Sequence, residues 1–158
     1  MNKSKQMPNT VHSILSRSYS VYLFSVIAGI IIEHTLELYF SFPFYNEIGL
    51  FVMTLGTLLV YWAQSTSSRS KKNALRNKTG HRNFALGPYK YTRNPTHVGL
   101  MLMTLGFGIL IGSFFVIILT LFAFITSKLV FLPAEEKLLE DKYGEDYTMY
   151  KKKVHPWL

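Results

Sequence analysis

The chain has 158 residues, 49% of them apolar, no cysteine and a net charge of +8, with a mean hydropathy of +0.17. That length suits one domain, and the apolar content points to a membrane protein rather than an ordinary soluble one. The missing cysteines exclude disulfides, thiolate chemistry and Cys-ligated metal, and most of the positive charge flanks apolar runs on one side, where membrane topology and anionic headgroups account for it without nucleic acid.

Residues 1–17 read as a polar arm carrying Lys3, Lys5 and Arg17. Residues 19–32 carry no charge and form the first span. That run is short for a crossing, so its helix is expected to continue through Glu33 and His34 towards the outer interface. It is read as a retained helix rather than a cleaved leader, because no clear small-residue cleavage site follows it. Residues 48–68 form the second span. Glu33, Glu37 and Glu47 lie between the two runs, with no Lys or Arg among them.

Residues 65–83, rich in Ser, Asn and Lys and without apolar periodicity, read as a loop or a short interfacial helix. The basic stretch contains Arg69, Lys71, Lys72, Arg76, Lys78, Arg82, Lys90 and Arg93. By the positive-inside rule this loop and both termini are expected in the cytoplasm.

From residue 98 to residue 127 no ionisable side chain occurs. A single helix from Pro95 to Pro133 would reach about 58 Å, against a hydrocarbon core of about 30 Å. The segment must therefore cross twice, reversing at Gly112-Ser113. The fold class is thus all-α, an integral membrane protein with about four spans. One domain is expected over 1–158: the arm 1–17, two spans in 18–68, a basic loop 69–94, a hairpin 95–133 and a C-terminal segment 134–158.

That last segment changes character. Pro133 suits a first helical position and Glu135 and Glu136 a first turn. Leu139, Tyr143, Tyr147 and Met149 or Tyr150 recur near helical spacing, with a break expected at Gly144. The hairpin brings the stretch GPYKYTRNPTHVGL, residues 87–100, beside these glutamates, so Glu136 and His97 are expected to face one cavity.

Each part has a plainer reading. Arg93 suits snorkelling, Glu135 and Glu136 suit a helix N-terminus, and Tyr89 and Tyr91 suit an interfacial belt. Asn94, His97 and Gly99 fit such readings less well, standing where the chain enters hydrocarbon. A lone His97 also fits a hydrogen-bonded structural residue, and without a second histidine at ligand spacing no zinc site is expected. Gly99, Gly106, Gly108 and Gly112 form a small-residue strip suited to helix packing, within the chain or in a homodimer, rather than to a nucleotide phosphate.

The stretch at 87–100, two apolar helices, EEKLLEDKYGEDYTMYKKKV and a terminal Pro-aromatic pair resemble the membrane methyltransferases related to isoprenylcysteine carboxyl methyltransferase and the phospholipid N-methyltransferases. Tyr89, Tyr91, Arg93, Pro95 and Gly99 hold the pattern of that family; Asn94 stands in a His place and His97 in a Tyr place. The resemblance implies S-adenosylmethionine as cofactor, bound by Tyr89, Arg93, Asn94, His97, Gly99, Glu135 and Glu136, with Tyr147 and Trp157 closing over it. It implies a lipophilic or prenylated acceptor reached from the membrane, with Lys153, in an Arg place, and Glu136 as catalytic candidates. Lysine lacks the planar fork of arginine, which weakens the case for a carboxylate acceptor specifically. A sterol-reductase-like enzyme using NADPH and a non-catalytic membrane interaction protein are the alternatives.

Overall fold

The computed structural model describes residues 11–76 and 84–157. Six α-helices follow in order: α1 (Val11–Leu36), α2 (Tyr45–Arg76), α3 (Pro95–Leu110), α4 (Phe114–Thr126), α5 (Leu132–Tyr143) and α6 (Glu145–Lys153). A 3₁₀ turn at Gly87–Lys90 precedes α3, and a π-helical turn at Ser127–Phe131 joins α4 to α5. Three segments are long and apolar enough to cross a membrane, Ser13–Leu36, Tyr45–Asn73 and Phe114–Tyr143. The remaining crossing, α3, has 16 residues and spans about 24 Å, somewhat less than the hydrocarbon thickness.

The reversal falls where glycine permits it. Gly112 adopts φ +66°, and a Cβ there would come 2.5 Å from the Phe40 carbonyl oxygen. Phe40 N–H donates to Gly112 O at 3.0 Å, so the α1–α2 connection is sewn to the hairpin turn.

Helix α1 runs antiparallel to α4 along a seam of small and polar residues. Ser18 meets Ser127 at 3.2 Å, Tyr22 packs with Ala123, Gly29 lies against Val116, and Glu33 accepts from Ser113. These positions repeat at three- and four-residue steps, so each helix presents one continuous stripe.

A second seam joins α2 to α3. A Cβ at Gly56 or Gly106 would overlap the facing backbone of Met103 or Met53, so the two backbones touch directly, as small residues allow. Gly99 also faces α2, at Val60, whereas Gly108 faces α4 at Ile117. The glycine strip is thus taken up inside the chain, by α2 at Gly99 and Gly106, by α4 at Gly108 and by the Phe40 carbonyl at Gly112.

Two expectations need correction. The arm ends earlier than residue 17, because α1 already begins at Val11; residues 1–10 lie outside the described residues. Glu33 belongs to α1, as expected, and is buried. The stretch 65–76 is neither loop nor separate helix but the last turns of α2, whose residues 57–76 contain no proline or glycine to stop it; residues 77–83 lie outside the described residues. Pro133 sits in the first turn of α5, as expected, and α4, the π turn and α5 follow one another without a gap. Proline lacks an N–H and its ring opposes the carbonyl four residues back. The wide turn just before it accommodates both, with Leu132 N–H reaching Ser127 O.

Candidate functional site

Among the described residues, the polar elements at the end of α2, the entry to α3 and the C-terminal segment converge at the end of the bundle away from Gly112. A cavity there is walled by Leu15 of α1, Thr66, Ser67 and Ser70 of α2, Tyr89, Arg93 and Asn94 before α3, Thr96 and His97 of α3, Glu135, Glu136 and Leu139 of α5, and Tyr147 and Tyr150 of α6. It encloses about 120 Å³, below the roughly 300–1,000 Å³ of typical small-molecule sites. A nucleoside-sized ligand therefore requires the wall to move outwards.

The π turn explains how α5 serves this site. In an uninterrupted α-helix, Ser127 and Glu135 would point about 80° apart; the extra residue accommodated by a π turn reduces this to about 20°. Both side chains consequently reach the same neighbours. Ser18 Oγ lies 3.2 Å from Ser127 Oγ and 3.3 Å from His97 Nδ1, and His97 Nε2 lies 3.4 Å from Glu135 Oε2.

Beside this chain stands a buried ion pair. Arg93 Nη2 is 3.1 Å from Glu136 Oε1, with side chains 7% and 12% exposed. Lys151 binds the second Glu136 oxygen at 3.0 Å and Glu140 at 2.7 Å. These hydrogen bonds, Glu140 first, raise Lys151 above its ordinary pKa. Arg93 Nε nonetheless remains buried without a hydrogen-bond partner, and Glu136 Oε1 has only its ion-pair contact with Arg93 Nη2. A buried donor without a partner is uncommon in folded proteins and asks for a ligand or a solvent molecule.

The C-terminal segment holds the entry to α3 in place. Arg93 N–H donates to His155 O at 3.1 Å, while Thr92 Oγ1 and Asn94 Nδ2 both donate to Pro156 O, at 3.0 and 3.1 Å. Tyr150 donates its hydroxyl to Tyr89 O at 2.8 Å. Phe84 packs against Tyr143, Tyr147 and Tyr150 at ring separations of 5.0 to 5.6 Å. Burial pushes the hydroxyls of Tyr147 and Tyr150 well above the usual tyrosine range, with Glu136 adding to the shift at Tyr147 and Tyr89 at Tyr150.

Of the residues chosen from sequence, Tyr89, Arg93, Asn94, His97, Glu135, Glu136 and Tyr147 line the cavity. Three do not. Gly99 is packed against Val60 of α2, Lys153 is exposed on α6 and outside the cavity wall, and Trp157 packs on Phe124 of α4 at 5.0 Å, with Lys128 over its ring. Sequence reasoning missed Ser18, Thr66, Ser67 and Ser70. The last three lie on one face of α2, and the spacing 66, 67, 70 is the signal that would have found them.

The pattern of the phospholipid methyltransferase family matches residues 44–146. The chain is 28% identical over 120 residues to the protein-S-isoprenylcysteine O-methyltransferase of Schizosaccharomyces pombe, which covers 73% of the chain and 50% of the relative. The chain thus spans half the length of that relative.

Proposed function

The chain belongs to the phospholipid methyltransferase family, and from that premise we propose that it is an integral-membrane methyltransferase using S-adenosylmethionine to methylate a lipophilic or prenylated acceptor, through a carboxylate or an amine. The observation that carries this reading is the buried Arg93–Glu136 pair in one cavity wall, in which Arg93 Nε has no hydrogen-bond partner and Glu136 Oε1 has only its ion-pair contact with Arg93 Nη2. A donor and an acceptor held side by side fit a ligand end that bears both a carboxylate and an ammonium, as the methionyl part of that cofactor does.

The bound cofactor would supply a methyl group already activated by a sulfonium. What remains for the protein is alignment and exclusion of water. Arg93 would hold the carboxylate and Glu136 the ammonium, with Tyr89 and Asn94 shaping the floor and Tyr147 covering it. Lys153 has no part in this arrangement.

The acceptor's apolar portion would come along α2. A groove bounded by Leu55, Leu58, Leu59, Tyr61, Trp62, Ser65 and Arg69 ends at Thr66, which also lines the cavity. A carboxylate acceptor needs no base, whereas an ammonium must first lose a proton. The lysines of α6 and Arg69, Lys71 and Lys72 of α2 flank the cavity end, while Glu37 and Glu47 lie at the other. By the positive-inside rule the cavity, the basic segment and both termini are then cytoplasmic.

The test is calorimetric titration of S-adenosylmethionine into the detergent-purified, helical protein. Saturable binding is expected, and a folded wild type that binds none of it removes this function. Exposed Arg69, outside the cavity wall, provides the control: Arg69→Gln should bind as wild type does.

A further inference from the structure

Resting on the cofactor reading above, we propose that Ser18 and His97 are positioning residues: they carry the hold of the first span through the imidazole to Glu135, fixing that carboxylate in the cavity wall.

The chemistry of the chain of contacts is directional. A carboxylate only accepts, so His97 Nε2 carries the hydrogen that points to Glu135 Oε2 at 3.4 Å. In the neutral ring Nδ1 then accepts, and Ser18 is its donor at 3.3 Å. Ser18 Oγ in turn accepts from Ser127 at 3.2 Å. Ser18 and Ser127 are fully buried and His97 is 2% exposed.

One consequence concerns His97 itself. A neutral imidazole offers one donor and one acceptor, and both already have partners within the protein. His97 therefore does not hold the cofactor's carboxylate directly, although its position in the sequence suggested that role. It acts through Glu135.

A second consequence concerns α1. The family pattern begins at residue 44, beyond α1 (Val11–Leu36), whose Leu15 lines the cavity. Ser18 adds a polar tie from the same helix. Three helices that are distant in sequence, α1, α3 and α5, are tied at a single ring, and the π turn that re-phases Glu135 also places Ser127 behind Ser18. Seating of the first span on α4 thereby sets where the carboxylate points.

Two measurements on the full chain test this. The first needs no cofactor: nitrogen resonances of isotope-labelled histidine report each ring nitrogen of His97. Ser18→Ala should move Nδ1, and Glu135→Ala should move Nε2; resonances that stay in place in folded variants overturn the proposal. The second is a double-mutant cycle read as S-adenosylmethionine affinity. His97→Ala should weaken binding about tenfold in the wild-type background and cause no further loss beside Glu135→Ala. His97→Gln, whose amide N–H can replace Nε2–H, should recover most of the affinity, and Ser18→Thr should behave as wild type. Losses that simply add, or a His97→Gln variant as weak as His97→Ala, overturn it. Absence of any cofactor binding in the wild type strikes the methyltransferase reading instead, and leaves the resonance test to decide the hydrogen-bonded chain.

Discussion

Arg93 and Glu136 meet at 3.1 Å across the contact of the α3 entry with α5, both backed by Lys151 of α6. Arg93 Nη1 also donates to Lys151 O at 3.4 Å, and Lys151 reaches back to Glu136. A buried pair of this kind adds little net stability compared with apolar packing, yet removing one partner strands the other. Glu136→Gln should destabilise the detergent-purified protein by about 3 kcal/mol and weaken S-adenosylmethionine binding sharply. Thermal unfolding and calorimetry check the two effects separately. A variant that unfolds like wild type and binds like wild type would contradict both the pair's role and the cofactor assignment.

The aromatic cover of the cavity makes a prediction for alkaline pH. Burial raises the pKa values of Tyr147 and Tyr150 above their ordinary 10.0, with Arg93 opposing in each case. Lys151 is raised as well. All three favour the protonated form in the folded state, so the unfolded chain releases these protons first as pH rises. Stability from these groups is full below about pH 10 and falls above it, by up to about 1.4 kcal/mol per pH unit for each tyrosine. Unfolding midpoints measured between neutral pH and pH 11 should show this decline, and Tyr147→Phe should flatten it.

Much of this arrangement was legible residue by residue, and the exceptions share a cause. Proline and glycine mark boundaries through the backbone alone, so Pro95, Gly112 and Gly144 located the start of α3, the hairpin turn and the break before α6. That Glu136 and His97 line one cavity followed from the hairpin, because its two ends must be neighbours, whereas the pairing of Glu135 with His97 and of Glu136 with Arg93 did not. The end of α2 was not legible: its polar residues line a cavity, and an amphipathic signal needs one apolar face against solvent on the other. Ser18 carried no signal, since its partners lie far away in sequence. Gly99 suited a close approach, but the approach is to α2 and not to a ligand.

The α2–α3 seam predicts a steep response to small changes. Helix backbones that touch have no slack, and a methyl group at Gly106 would overlap the Met53 backbone and come within 2.8 Å of Gly49 O. Neither neighbour is a flexible side-chain end, so the helices must separate. Gly106→Ala should destabilise the protein by about 1–3 kcal/mol, whereas Gly144→Ala, with nothing within 4 Å, meets no steric overlap and acts only through its backbone conformation. Thermal unfolding of Gly106→Ala in detergent checks the seam; a midpoint equal to wild type would show that the helices can part without loss.

At the opposite end of the bundle Glu33 is 1% exposed, and its Oε2 accepts from Ser113 Oγ at 2.6 Å and from Phe115 N–H at 2.9 Å. Ser113 Oγ accepts in turn from Val116 N–H at 3.2 Å. The carboxylate therefore stands behind the cap of α4, where free backbone N–H groups and the helix dipole favour negative charge. Because the cap sits beside the hairpin turn, its loss should loosen both α1 and the reversal at Gly112. Glu33→Ala should destabilise by about 2 kcal/mol, and Glu33→Gln by less, because the amide oxygen can still accept both hydrogen bonds. Ser113→Ala should add little to Glu33→Ala, since the two act through one cap. Unfolding midpoints of the three single variants and the double variant settle it, and strict additivity would show that Glu33 and Ser113 act independently. Cofactor binding, at the far end of the bundle, should survive in each folded variant.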